Sequence, residues 1–245
     1  MRYQKCFWLV LFLFPLAGAP TSLTAGEGVF LGKMKADRIL FLGNSITRHG
    51  PAPQIGWNGD WGMAASSENK DYVHLLTDAI ATRAGGKPEI LAHTIVKNFE
   101  RSYAEKDYDA GARLAAALTF KPDIVIVAIG ENVAPLTSEE ARRLYQTRFK
   151  QLLDALKATG NPNIFVRSTF WPDAAKDNAM REACKAAGGV FVDIRDIGRD
   201  RTNQASSDPG RTFIHDGVAA HPGDAGMKAI AERLFRDMAA HAEKQ

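Results

Sequence analysis

Cysteine is scarce: Cys6 and Cys184 are the only two in 245 residues. That excludes a disulfide-built scaffold, and no Cys-x-x-Cys, His-Glu-x-x-His or EF-hand spacing occurs, so no structural metal site is read. Charge of one sign is lacking too. Lys plus Arg number 31 against 28 Asp plus Glu, a balance that points to neither a nucleic-acid nor an anionic-membrane partner. A P-loop is missing, as is the Gly-x-Ser-x-Gly elbow of one large hydrolase fold. Internal repeats, low-complexity tracts and long linkers are also missing. What is present, 45% hydrophobic and 24% charged residues, is enough for one large core and excludes a wholly disordered chain.

The one long apolar run, 6–16, falls short of the ~20 residues that cross a bilayer. It follows Arg2 and Lys5 and precedes Ala17-Gly18-Ala19 and a Pro/Thr/Ser stretch. A basic start, a short apolar run and small residues read as a signal peptide, residues 1–25, with the cut placed near Ala25. The expectation is an exported protein, periplasmic or extracellular, with one domain over 26–245 and no membrane span after cleavage. Removal of Arg2 and Lys5 takes the formal charge from +3 to +1. Cys184 is then alone, at apolar spacing in a helix, and reads as a packed residue rather than a reactive thiol.

From residue 36 onward, short β-branched apolar runs alternate with segments of helical period. The runs, 38–42, 89–96, 123–129, 163–169 and 190–193, are nearly continuous in apolar character, as in strands buried on both faces of a parallel sheet. Segments 72–84, 109–120, 138–159, 174–187 and 224–242 read as helices, two of them stopped by Gly160-Asn161-Pro162 and Gly188-Gly189. The fold class is therefore α/β, a three-layer α/β/α sandwich with a five-stranded parallel sheet. Ligands of such folds bind at the carboxyl ends of the strands. Residues 47–71, rich in Gly, Pro, Asn and Trp, form a connection long enough to be read as a functional loop.

Three strand ends carry chemistry-bearing residues. The first delivers Gly43-Asn44-Ser45 to the rim, either an ordinary turn or the seat of a nucleophile. The third ends Gly130-Glu131-Asn132, where Asn132 either caps the turn beside a solvated Glu131 or aims an amide at a developing oxyanion. After the fifth comes His215-Asp216-Gly217-Val218-Ala219-Ala220-His221-Pro222. His221 there is either a helix-entry residue or a base able to take a proton from a hydroxyl.

The three together resemble the SGNH hydrolases, the GDSL-like esterase and lipase family, over essentially all of 26–245. The resemblance implies a flavodoxin-like sandwich in which Ser45 is the nucleophile, Asn132 an oxyanion donor and His221 the base, with no metal or organic cofactor. Two departures follow. The family's acid stands three residues before the His, where this chain has Val218. Either Asp216 orients the imidazole across a longer loop, which is favoured, or a backbone carbonyl does so in a Ser-His dyad. After the second strand the family often has a Gly whose N–H joins the oxyanion hole; here the sequence is Asn98-Phe99-Glu100-Arg101. Asn98 is expected to hold the turn that presents a donor, with Glu100 and Arg101 a solvated pair.

In the long loop, Trp57 and Trp61 either pack onto the sheet or stack on sugar faces, while Asn and Asp bond hydroxyls. The reading is an exported serine esterase acting on a small-molecule or glycan ester. Its alternatives are a lipase or thioesterase, and a non-catalytic glycan-binding protein on the same fold. Oligomeric state is not legible.

Overall fold

The computed structural model describes residues 28–245; the expected signal peptide and its cleavage site lie outside the described residues. The main sheet contains β3 (Arg38–Gly43), β4 (Glu89–Thr94), β5 (Ile124–Ala128), β6 (Asn163–Arg167) and β7 (Val190–Val192), in the order β4-β3-β5-β6-β7. Every pairing is parallel. The sequence at 30–35 did not announce the small antiparallel hairpin of β1 (Phe30–Leu31) and β2 (Met34–Lys35), whose two-residue strands are too short to show an alternation.

Strand alternation sorts the core into two layers. Ile39, Phe41, Ile126 and Phe165 face one side, where α1 (Tyr72–Ala84) and α7 (Asp224–Ala242) supply Tyr72, Leu76, Ile80, Ile230 and Leu234. Leu40, Leu42, Val125, Val127 and Val166 face the other. There α2 (Ala110–Leu118), α3 (Glu139–Lys157) and α4 (Ala174–Ala186) supply Leu114, Tyr145, Phe149 and Met180. With both faces covered, the central strands can be continuously apolar, and β5 is buried at all its positions. Cys184 packs in the second layer at 0% exposure, and burial pushes its thiol up to about 12.

Helix starts fall where side chains meet unpaired N–H groups. Asp109 caps α2 through Gly111 and Ala112, and Ser138 caps α3 through Ala141. These residues are flanking caps rather than helical, which is why two helices begin one residue later than their periodicity suggests. Asp224 is the first residue of α7 and accepts from Ser66 and Lys70 of the long loop. Between these larger elements lie a single π-helical turn (Val96–Glu100), α5 (Arg195–Arg199) and α6 (Asp216–Ala219).

The parallel register sets the rim. Gly43 pairs with Thr94 on one side and Ala128 on the other, so the chain leaves β3, β4 and β5 at one level. Residues 44–45, 95–101 and 129–132 are thereby gathered although they are distant in sequence.

Candidate active site

Beyond β3 the chain turns sharply. Thr47 and Arg48 both donate their N–H to the Asn44 carbonyl at 3.0 Å, and the Asn44 side-chain oxygen accepts from Ile46 N–H at 3.2 Å. Only glycine fits at position 43, because a Cβ there would lie 1.8 Å from Thr47 Oγ1. Asn44 is fully buried, and its Nδ2 donates to Glu131 Oε2 at 2.6 Å and to Glu100 Oε1 at 3.3 Å. The middle residue of Gly-Asn-Ser thus anchors the turn, leaving Ser45 at the rim.

Ser45 Oγ lies 2.8 Å from His221 Nε2. The other ring nitrogen, Nδ1, is 2.5 Å from the Gly217 carbonyl oxygen. A carbonyl only accepts, so Nδ1 carries the proton and Nε2 is left with its lone pair toward the serine hydroxyl. Gly217 O is available because the His221 N–H goes to Val218 O instead. Trp171 steadies the ring from the side. Its indole meets the imidazole edge-on at 5.1 Å, and its Nε1 donates to Ala220 O at 3.2 Å. Burial holds the His221 pKa below its ordinary value, helped by the nearby His49 and His215 and opposed by the Gly217 carbonyl and Glu131.

Asp216, the favoured orienter, makes no hydrogen bond to His221 among the described residues, so that expectation is corrected to the backbone-carbonyl alternative. The reason lies in α6. This short helix turns Val218 inward, at 2% exposure, against Trp57, Met63 and Ala205, while Asp216 is exposed.

Glu100 and Glu131 are corrected as well: neither is solvated. Glu100, 1% exposed, accepts from Gly130 N–H at 2.7 Å, Asn132 N–H at 3.1 Å and Asn132 Nδ2 at 2.9 Å. The Asn132 carboxamide is held by one of its two N–H bonds while it faces the cavity that Ser45 and His221 line. Glu131 pairs with fully buried Arg167 at 2.6 Å and accepts from Phe170 N–H at 2.9 Å. Burial pushes the Glu100 carboxyl up, as does the charge of Glu131, against the pull of the N–H donors. Burial opposes ionisation of Glu131 too, but Arg167 and the donors outweigh it and hold that carboxyl below the usual range. Gly130 closes this corner at φ +123°, where a Cβ would lie 2.7 Å from Thr169 Cγ2.

Asn98 lines the cavity and ties the π-helical turn to α2 by donating Nδ2 to Arg113 O at 2.7 Å. The sugar-stacking expectation fails for Trp57, which is 5% exposed and donates Nε1 to His49 O at 2.8 Å. Trp61 packs edge-on against it at 5.6 Å, bonds Ala65 O and borders a separate hollow of about 330 Å³. Both indoles fold the long loop down.

The cavity has a volume of about 920 Å³ and also receives Arg48, His49, Asp60, His93, Lys97, Arg101 and His215. Among the described residues, no three His, Cys, Asp or Glu side chains gather to hold a metal ion. Arg167 and Trp171 escaped the sequence reading, as did the role of Glu100. Only Arg167 left a signal there, since a cation inside an apolar strand demands a buried carboxylate.

A parallel three-layer sandwich with a hydroxyl–imidazole pair and an anchored amide at its carboxyl rim defines the class of ester hydrolases built on this sheet order. The chain belongs to the GDSL-like lipase/acylhydrolase family, whose model matches residues 41–229. Among solved structures, one described as a GDSL-like lipase from Bacteroides ovatus is 14% identical, with a TM-score of 0.53 over 83% of this chain and 98% of that one. A family two carbohydrate esterase from Cellvibrio japonicus is 16% identical, with a TM-score of 0.52 over 84% of this chain and 61% of that one. An acetyl xylan esterase, AlAXEase, is 16% identical, with a TM-score of 0.51 over 81% and 98%. No curated protein sequence matches the chain.

Proposed function

We propose that the protein is an exported serine esterase that removes acyl groups from carbohydrate esters through an acyl-enzyme. The observation that carries this reading is the line from Ser45 Oγ through His221 Nε2 and Nδ1 to the Gly217 carbonyl. Ser45 Oγ attacks the ester carbonyl as His221 Nε2 takes its proton, and the Gly217 carbonyl steadies the imidazolium that forms. The developing oxyanion is met by the free N–H of the Asn132 amide, the Ser45 N–H and a backbone donor beside Asn98. His221 returns the proton to the departing alcohol. Water, deprotonated by the same imidazole, then releases the acid and restores the serine.

Export is supported by the basic-apolar-small pattern of residues 1–25, and no helix of the described residues is long and apolar enough to cross a membrane. The carbohydrate substrate is supported by the polar and charged residues among those that line the cavity and by the two esterases named above. The non-catalytic alternative rests on the missing acid at Val218 and the missing Gly after Asn98; against the first, the Gly217 carbonyl bonds His221 Nδ1.

Active-site titration with a small organophosphonate tests the reading. Wild-type protein should be labelled stoichiometrically at Ser45 and should hydrolyse 4-nitrophenyl acetate. Ser45→Ala and His221→Ala should each lose on the order of 10³-fold or more with the fold intact. Asn132→Ala should lose roughly 10²- to 10³-fold in kcat with KM little changed. Near-wild-type turnover of Ser45→Ala overturns the proposal.

A further inference from the structure

Away from Ser45, Asn132 and His221, the cavity wall is basic. Arg48, Lys97 and Arg101 line it with the imidazoles of His49, His93 and His215, against a single lining carboxylate, Asp60. That carboxylate is already engaged, accepting from Arg48 Nε at 3.0 Å and Nη2 at 2.7 Å. Lys97 and Arg101 have no such partner: among the described residues neither forms an ion pair or a side-chain hydrogen bond. Both belong to the segment that follows β4, one residue on either side of the pair formed by Asn98 and buried Glu100 being anchored to α2 and to Asn132. Their backbone is fixed while their charged ends remain exposed. On an open surface, water neutralises two such cations at little cost. On the wall of a concave site they focus positive potential on whatever enters.

We infer that this wall is an anion subsite, and that the substrate is an O-acylated sugar bearing a carboxylate or sulfate. Lys97 and Arg101 take the anionic group while the ester carbonyl sits between Ser45 and Asn132. The inference rests on the serine-esterase reading and names the substrate class within it. The cavity's volume is ample for a sugar ring with its acyl group. Unlike Arg48, neither cation must give up a protein carboxylate before it meets a ligand.

The test compares three acetylated methyl glycosides: the neutral glucoside, the glucuronoside and the glucoside 6-sulfate. At low ionic strength, kcat/KM for one or both anionic esters should exceed that for the neutral ester by roughly 10- to 100-fold. That ratio should fall toward one in the Lys97→Ala/Arg101→Ala double variant and at about 0.5 M salt. Whichever anionic arm shows the preference identifies the group. Calorimetry of deacetylated methyl glucuronoside and glucoside 6-sulfate with the Ser45→Ala variant reads the subsite without turnover; binding should be present there and lost when Lys97 and Arg101 are also replaced. A ratio near one in the wild type, or one kept by the double variant, overturns the subsite while serine-dependent hydrolysis of the neutral ester leaves the esterase reading standing. Binding in the Ser45→Ala protein without any serine-dependent hydrolysis would instead overturn the esterase reading and keep the subsite.

Discussion

A carboxylate beside Nδ1 would stabilise the imidazolium and raise the base's pKa, whereas the Gly217 carbonyl orients the ring without adding a full negative charge. The environment of His221 works the other way, with burial and two neighbouring imidazoles favouring the neutral form. The base is competent when neutral, so activity should fall only as pH drops through this lowered pKa. The acid limb of kcat/KM against pH is therefore expected below the usual imidazole value of about 6.5. Asp216 is exposed and unbonded to the ring, so Asp216→Asn should leave the profile overlaying the wild type, with kcat within about twofold. A loss of orders of magnitude, with the acid limb moved to lower pH, would return the orienting role to Asp216.

At the scale of elements, the π-helical turn after β4, Val96–Glu100, carries a buried carboxylate at its last residue. It brings the Glu100 carboxylate under Gly130 and Asn132, where it meets only N–H donors. Glu100→Gln keeps the shape and removes the charge, but it places an NH₂ group against the Asn132 NH₂ group. The Asn132 amide must then turn over and present its oxygen where it presented a donor. The expected result is a fall in kcat of about 10- to 100-fold with KM little changed. In an Asn132→Ala background the same change should cost little more, since both losses pass through one amide. Additive losses in the double variant would show that Glu100 supports the fold generally and not Asn132 in particular.

For the molecule as a whole, the cost of this arrangement is a buried charge cluster at the carboxyl end of the sheet. Glu100 and Glu131 share the Asn44 amide, and Arg167 on β6 is the cation paired with Glu131. Arg167→Met should lower stability by about 3–5 kcal/mol, the range for stranding a buried charge, read as a shift in the urea midpoint. In the wild type Glu131 has a depressed folded pKa, so it contributes stability above its unfolded pKa that is lost as pH falls through the folded value. Without Arg167 the sign reverses. The carboxyl is then easier to bury protonated, and the variant's deficit should shrink as pH falls. A pH-independent deficit would attribute the loss to packing instead.

Residues whose role depends on nearby chain were legible in the sequence. Apolar runs at period two or nearly continuous, and helices at period 3.6 with Asp or Ser at their starts, are local consequences of backbone geometry and burial. They led to five strands, five major helices and a parallel sheet whose rim had to hold Ser45, Asn132 and His221. What the tertiary structure alone decided is which atoms meet across that rim. Val218 turns inward because α6 packs on the long loop, and this leaves Asp216 outside and gives the imidazole to a carbonyl. Trp57 is buried by the same loop and is therefore closed to a sugar. Glu100 and Asn132 stand 32 positions apart, Asn44 and Glu131 87, and Ser45 and His221 176. The first two pairs are set by the register of β3 with β4 and β5, and the third by the packing of α6 on the long loop, because side-chain hydrogen bonds depend on sub-ångström placement that no local period encodes.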